Sequence, residues 1–497
     1  MPERTPRFDH PVRPPQPRPF PHRAISVVMD PLPLHTLLAP LQASLVGGPG
    51  EMLACRVAID SREVRPGDLF WALRGERHDS HQFVPQALAA GAVAAVVDAH
   101  HAPQITGPRL VVSETLPALQ QFARWYRQQQ EALVIGVTGS VGKTTTREMI
   151  ATVLSSAHSG IRSRKNFNNE IGLPLSLLDL GSEHEFAVLE MGAGRRGDIR
   201  ALCDIAAPEV GVLTRVGPAH LESFGSLDAI YEGKFELVEA LPCTGFAVVG
   251  GDDPRLRAMA RQATCAVRLF GEQPGNDLVA EEVEFHPGRL RFLVQGDRFH
   301  LAASARHQLT SALAAVAVAR EIGLSTEQIQ EGFDLFRPPA SRCQVETIGP
   351  WTIIDDSYNA SPLSMQAACE CLREWPTGSQ RVLLCGDMLE LGPQSPEWHH
   401  QFGQQIARSG VDRLLVCGEF ADDVARGALS GGFPLHQVAA CDALETLLPL
   451  LDCWLSPGDV LLVKGSRGMR MERALEWLRR QVPSLPPGRP APQRQAA

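Results

Sequence analysis

Apolar positions along this chain fall into short continuous runs separated by stretches of helical periodicity. Residues 68–73 and 92–97 predict strands, with a helix over 83–90 between them. Residues 116–130 carry an amphipathic pattern that predicts a helix, leading into a strand that opens with the run 132–135 and a further helix over 145–154. The runs 186–189, 210–213 and 246–249 lack polar alternation, which predicts strands buried on both faces of a parallel sheet with helical crossovers. Between 278 and 303 the pattern changes. Residues 289–294 and 298–302, joined around Gly296-Asp297, predict an antiparallel hairpin, and a helix of small residues over 312–322 follows. Beyond Arg337-Pro338-Pro339, the runs 381–385, 413–417 and 460–463 predict a second α/β unit of Rossmann-like rhythm. Its Gly386-Asp387 and Gly418-Glu419 strand ends lack G-x-G-x-x-G, so dinucleotide binding is not indicated.

At 497 residues the chain is too long for one ordinary domain. The predicted division is a proline- and arginine-rich disordered tail (1–28), a small α/β unit (29–114), a central nucleotide-binding unit (115–337), a C-terminal unit (338–483) and a frayed end (484–497). The tail lacks the apolar core of a secretory signal, and Met29, where the first periodic pattern begins, is a candidate internal translation start. A net charge of −9 gives no support to nucleic-acid binding, and no run is long enough to span a membrane. The eleven cysteines are scattered, without C-x-x-C, as expected of reduced thiols in a cytoplasmic protein.

The chemistry is most legible at Gly136-Val-Thr-Gly-Ser-Val-Gly-Lys-Thr144, where a strand, a glycine-rich turn and a helix follow one another. That order suits a phosphate loop: amides and a helix N-terminus face phosphate, a lysine reaches its outer oxygens, and a threonine hydroxyl can ligate Mg²⁺. The general pattern would place its first glycine at 137; here it stands one residue earlier. Polar residues then close successive strands, where ligand sites of open α/β sheets form: Glu190, His220, Asp355-Asp356, Gly386-Asp387 and Lys464-Gly-Ser-Arg467. Taken singly, each has an ordinary alternative. His220 could be a structural histidine, Lys234 a surface lysine, Asn168-Asn169 a turn, and Asp355-Asp356 a helix N-cap pair.

Together the segments TGSVGKT, NFNNEIGLP, LEMGA, HLESFGS, DDSYNASP, GDMLELG and LVKGSRG resemble those of the Mur ligase family, the ATP-dependent amide-bond synthetases of peptidoglycan precursor assembly. Residues 59–84 resemble a uridine-nucleotide-binding N-terminal domain of that family. The resemblance implies three domains, namely a small α/β N-terminal domain, a central ATPase-type parallel sheet and a Rossmann-like C-terminal domain. The implied enzyme is a cytoplasmic, monomeric acid–amino-acid ligase. It would use ATP and Mg²⁺ to join D-alanyl-D-alanine to UDP-N-acetylmuramoyl-tripeptide through an acyl phosphate. It implies that Thr138, Gly139, Ser140, Val141, Gly142, Lys143, Thr144 and Thr145 bind ATP phosphates, helped by Gln308 and Asp356. Thr144, Glu190, His220 and a carbamylated Lys234 would hold metal, and Arg342 would approach the phosphates. Ser61 and Arg62 would lie near the uridine nucleotide, Asn168 and Asn169 would face the sugar, and Tyr358 and Asn359 would lie by the second substrate. Two positions depart from the family pattern. Gln308 and Ser311 stand where relatives carry asparagines, the first of which meets adenine, and Arg215 replaces another asparagine.

Overall fold

The computed structural model describes residues 29–75, 78–376 and 380–482; the expected tails 1–28 and 484–497 lie outside these. Three larger sheets follow one another along the chain, beside a short antiparallel pairing of Leu32–Pro33 with Leu53–Ala54. The first runs Ser44–Val46, Arg109–Val112, Ala94–Asp98, Asp68–Trp71, Arg56–Ala58, parallel except for its first pair. Trp71 anchors it: the ring is fully buried, stacks on Phe122 at 5.8 Å, and donates from Nε1 to Thr115 O. Helix Thr115–Arg127 therefore belongs to both neighbours, packing on this sheet through Phe122 and reaching the helical layer of the central unit through Tyr126, whose hydroxyl donates to Leu180 O.

The central sheet has nine strands, with Leu133–Thr138 flanked by Phe186–Glu190 on one side and Val210–Leu213 on the other. Its parallel core continues through Phe246–Gly250, Ala266–Gly271 and Leu278–His286, and the far edge is antiparallel. The hairpin is present as Arg289–Val294 and Asp297–Leu301. Its turn falls one residue earlier than expected, at Gln295-Gly296, where both φ values are positive (52° and 87°), as a two-residue turn matched to strand twist requires. The third sheet runs Gln344–Ile348, Trp351–Asp356, Val460–Lys464, Arg381–Gly386, Arg413–Cys417, Val438–Cys441, parallel except for its first pair. Several strands had no expectation (Gly160–Arg162, Ala266–Gly271, Gln344–Ile348 and Val438–Cys441); most are edge strands, short or partly exposed, with a weak apolar signal.

Helix Lys143–Leu154 begins two residues before the expected start, because Gly142 turns the chain at φ +84° and Lys143 and Thr144 open the helix itself. All eleven cysteines are free; most are buried, and only Cys243 and Cys453 are exposed. Burial pushes the thiols of Cys203, Cys369 and Cys417 up to about 12. Among the described residues no helix is long and apolar enough to cross a membrane.

Helix Thr326–Leu335 is pinned to the hairpin by Phe333, which meets Phe292 and Phe299 edge-on at 6.3 and 5.9 Å and is fully buried. Phe333→Ala is expected to destabilise the central unit by about 3–5 kcal/mol, read as a lowered urea midpoint. A midpoint within experimental error of the parent's would show that this aromatic cluster does not hold the edge.

Candidate functional site

The carboxyl ends of the central and C-terminal sheets face one cleft of about 1280 Å³. The phosphate loop forms its floor. Gly139, at φ +147°, has no room for a side chain: a Cβ there would stand 2.1 Å from Thr214 Oγ1. Ser140 N–H donates to Arg215 O at 2.8 Å, and Thr214 Oγ1 donates to Val141 O at 2.7 Å, so the following strand end braces the loop. Gly136, which stood out as the displaced loop glycine, lies inside the strand; a Cβ there would meet Leu237 at 2.9 Å and Met191 at 3.1 Å. The loop's own glycines are Gly139 and Gly142. Lys143 Nζ donates back to Gly139 O (2.8 Å) and Ser140 O (3.3 Å), which folds the amine over the loop. Desolvation lowers the pKa of this amine, Glu190 opposes that effect and Arg342 adds to it.

Glu190 ends its strand 2% exposed. Its Oε2 accepts from Thr144 Oγ1 at 2.7 Å and faces Arg147 NH1 at 3.3 Å, while Oε1 accepts from Asn168 Nδ2 at 2.8 Å. Burial alone would raise its pKa; Lys143, Arg147, Arg342 and the Thr144 hydroxyl outweigh this and leave the group ionised. Glu190 is therefore no solvated surface carboxylate. Lys234 is likewise no surface lysine: it is 1% exposed, donates to Ala193 O at 3.0 Å and lies 5.3 Å from the centre of the Phe224 ring. Desolvation, with Lys143 adding, brings its pKa down to about 7.

From the C-terminal unit, Asp356 accepts from Lys464 Nζ (2.5 Å) and Cys343 N–H (3.1 Å). The Arg342 guanidinium stacks 4.1 Å over the Tyr358 ring, with Arg467 at 5.9 Å. Arg342 sits between Ser341 and Cys343, both left-handed (φ 56° and 52°), so the chain turns sharply on either side of it. Asp355 caps no helix; it accepts from Ser341 and Ser357 hydroxyls, while helix Pro362–Arg373 has its own capping box at Ser361 and Ser364. Asn359 Oδ1 accepts from Ala360 N–H, and its carbonyl accepts from Lys464. His220, also left-handed (φ 56°), reaches across to the carboxylate of Glu390; a carboxylate only accepts, so Nδ1 carries the hydrogen.

The cleft thus gathers Ser140 to Thr145, Asn168, Asn169, Glu190, His220, Lys234, Gln308, Arg342, Asp356, Tyr358 and Asn359. Asn169 also caps helix Gly172–Leu177 by accepting from Gly172 N–H at 2.9 Å. Thr138 and Gly139 underlie the loop without lining the cleft, and Thr138 Oγ1 donates to Met191 O. Ser61 and Arg62 stand apart in the first unit, where Ser61 donates to Gln86 and Arg62 pairs with Asp60. Sequence reasoning did not single out Gln120 and Arg124, which line the cleft with Leu116; their i, i+4 spacing on one helix face was the available signal. Elsewhere, Asp79, His81 and His101 cluster in the first unit. The two rings stack at 4.1 Å and 15°, so their lone pairs lie in separate parallel planes and do not converge on one ion.

A buried carboxylate beside a loop threonine, under a wall of cations supplied by another sheet, defines an α/β enzyme that handles a nucleoside triphosphate together with anionic substrates. The comparisons narrow this class. Residues 56–127 match the Mur ligase family catalytic domain, 137–319 the Mur ligase middle domain, and 341–467 the Mur ligase glutamate ligase domain. The UDP-N-acetylmuramoyl-tripeptide–D-alanyl-D-alanine ligase of Bacillus subtilis is 35% identical over 426 residues, 85% of this chain and 92% of that protein. MurF of Acinetobacter baumannii superimposes with a TM-score of 0.83 at 32% identity, over 91% of this chain and 99% of that one. MurF ligase of Thermotoga maritima, solved in complex with ADP, gives 0.75 at 31% identity, over 86% and 98%. The chain belongs to the Mur ligase family.

Gly139→Ala forces a strained φ and a clash with Thr214, so nucleotide affinity is expected to fall about tenfold or more with the far-ultraviolet circular dichroism unchanged. Titration with ADP checks this; parent-like affinity would remove Gly139 from the loop's working geometry.

Proposed function

We propose that the chain joins D-alanyl-D-alanine to the terminal carboxylate of UDP-N-acetylmuramoyl-tripeptide at the expense of ATP. The observation that carries this reading is the single cleft in which the phosphate loop faces Asp356, Tyr358, Asn359 and Lys464, in a chain whose near full-length relatives are named for that ligation. A carboxylate oxygen of the tripeptide attacks the γ-phosphorus and the bond to ADP breaks. The amine of the dipeptide then adds to the acyl carbon, loses a proton, and phosphate leaves as the amide forms.

Lys143 and the loop amides would hold the β- and γ-phosphates, and Arg342 would swing from Tyr358 onto them. Glu190 and Thr144 offer hard oxygen donors 2.7 Å apart, a set that fits Mg²⁺, and His220 and Lys234 would complete a second position. Mg²⁺ bound there would neutralise phosphate charge. The depressed pKa of Lys234 supports its carbamylation, because the neutral amine is the form that adds to CO₂, giving a carbamate and a proton. Asn168 and Asn169 would position the sugar-peptide, Ser61 and Arg62 the uridine nucleotide, and Asn359 the dipeptide. We take residues 29–114, 115–337 and 338–483 as the domains that divide this work. The enzyme would act as a monomer in the cytoplasm, a reducing compartment that suits eleven free cysteines.

Phosphate release with ATP, Mg²⁺ and the tripeptide nucleotide is expected to require D-alanyl-D-alanine; release driven instead by a free amino acid would overturn the assignment. Lys143→Ala is expected to lower turnover by about 10³-fold or more. Lys234→Ala is expected to lose activity and to regain part of it with short carboxylates, measured by the same assay; an alanine variant of normal activity would exclude the carbamate.

A further inference from the structure

Gln308 is 2% exposed, yet it lines the cleft. Its Oε1 accepts from Ser304 N–H at 2.9 Å, and because a backbone N–H can only donate, the amide's orientation is fixed. The NH₂ end is therefore the one turned to the cleft, and among the described residues it has no acceptor. The polar groups around it are engaged. Ser311 Oγ pairs with Thr146 Oγ1 at 2.9 Å, and both Asp356 oxygens accept from Cys343 and Lys464. This wall offers an approaching base a free NH₂ donor, while each oxygen beside it already accepts one hydrogen bond and keeps a lone pair.

The wall also lies within a nucleotide's length of the phosphate loop, in the same cleft. Thr146, which bonds Ser311, lies on the phosphate-loop helix about one turn beyond Lys143, roughly 5 Å along its axis. Purines share the N7 acceptor and differ at position 6: adenine presents an amino donor there, hypoxanthine and guanine a carbonyl acceptor. The two hydrogens of Nε2 match N7 plus a 6-oxo group, whereas an adenine takes one of them at N7 and donates its 6-amino group to the remaining lone pair of Oε1.

We propose that Gln308 makes this nucleotide site permissive for 6-oxopurines, so that inosine nucleotides serve beside adenine nucleotides. The inference rests on the ATP use proposed above. Calorimetric titration of the full chain with ADP, IDP and 7-deaza-ADP tests it without any variant. IDP is expected within about threefold of ADP, and 7-deaza-ADP, which lacks N7, about tenfold weaker. Gln308→Glu keeps an acceptor for Ser304 N–H and turns an acceptor to the cleft; it is expected to make IDP at least about tenfold weaker than ADP. ITP is expected to replace ATP in the phosphate-release assay. Binding of ADP with IDP a hundredfold weaker, or equal binding of ADP and 7-deaza-ADP, would overturn the proposal and leave the ligase reading standing. Failure of all three nucleotides to bind would remove the nucleotide site itself, and both readings with it.

Discussion

The buried carboxylate of Glu190 is the constraint on which the rest of the site depends. A charge at 2% exposure is tolerable only when it is paired and hydrogen-bonded. Its partners come from three places: Thr144, Arg147 and, through space, Lys143 from the phosphate-loop helix, Asn168 from the segment after the next strand, and Arg342, through space, from the C-terminal unit. Satisfying this one group therefore fixes the rotation of helix Lys143–Leu154, the course of the 166–169 segment and the end of the central strand. Thr214 and Arg215 brace the loop from the other side.

The C-terminal sheet meets this floor with a different logic. Its contribution is a set of side chains tied to one another: Lys464 to Asp356 and Asn359, Arg342 over Tyr358, and Asp355 to the turn at Ser341. Across the cleft the two units also touch directly, through His220 and Glu390 and through Glu222 N–H to Glu390 O at 3.0 Å. His220 and Glu390 both adopt left-handed backbone conformations (φ 56° and 64°), as residues held at functional clefts do when their surroundings over-determine them.

Much of this was legible in the sequence. The parallel strands of the central and C-terminal sheets announced themselves as uninterrupted apolar runs, because strands buried on both faces leave no polar alternation to confuse the reading. Edge strands such as Gly160–Arg162 and Val438–Cys441 stayed hidden, since exposure on one side dilutes that signal. Lys143, Thr144 and Glu190 were visible through their positions at strand ends. Gly136 was misplaced into the loop, because a pattern of glycines does not tell a phosphate contact from a tight approach between strand and helix. The i, i+4 spacing of Gln120 and Arg124 does not say which partner their helix face meets, and the pairing of Gln308 with Ser304, though local, depends on the turn between them.

The distribution of cysteines carries a practical consequence. The deeply buried thiols stay protonated and inaccessible, so a sulfhydryl reagent meets chiefly Cys243 beside the central sheet and Cys453 in the C-terminal unit. The native chain thus carries its own pair of attachment points, one on each side of the cleft. A donor and acceptor dye placed there would act as a ruler for the opening and closing of the two units, with no engineered residue required.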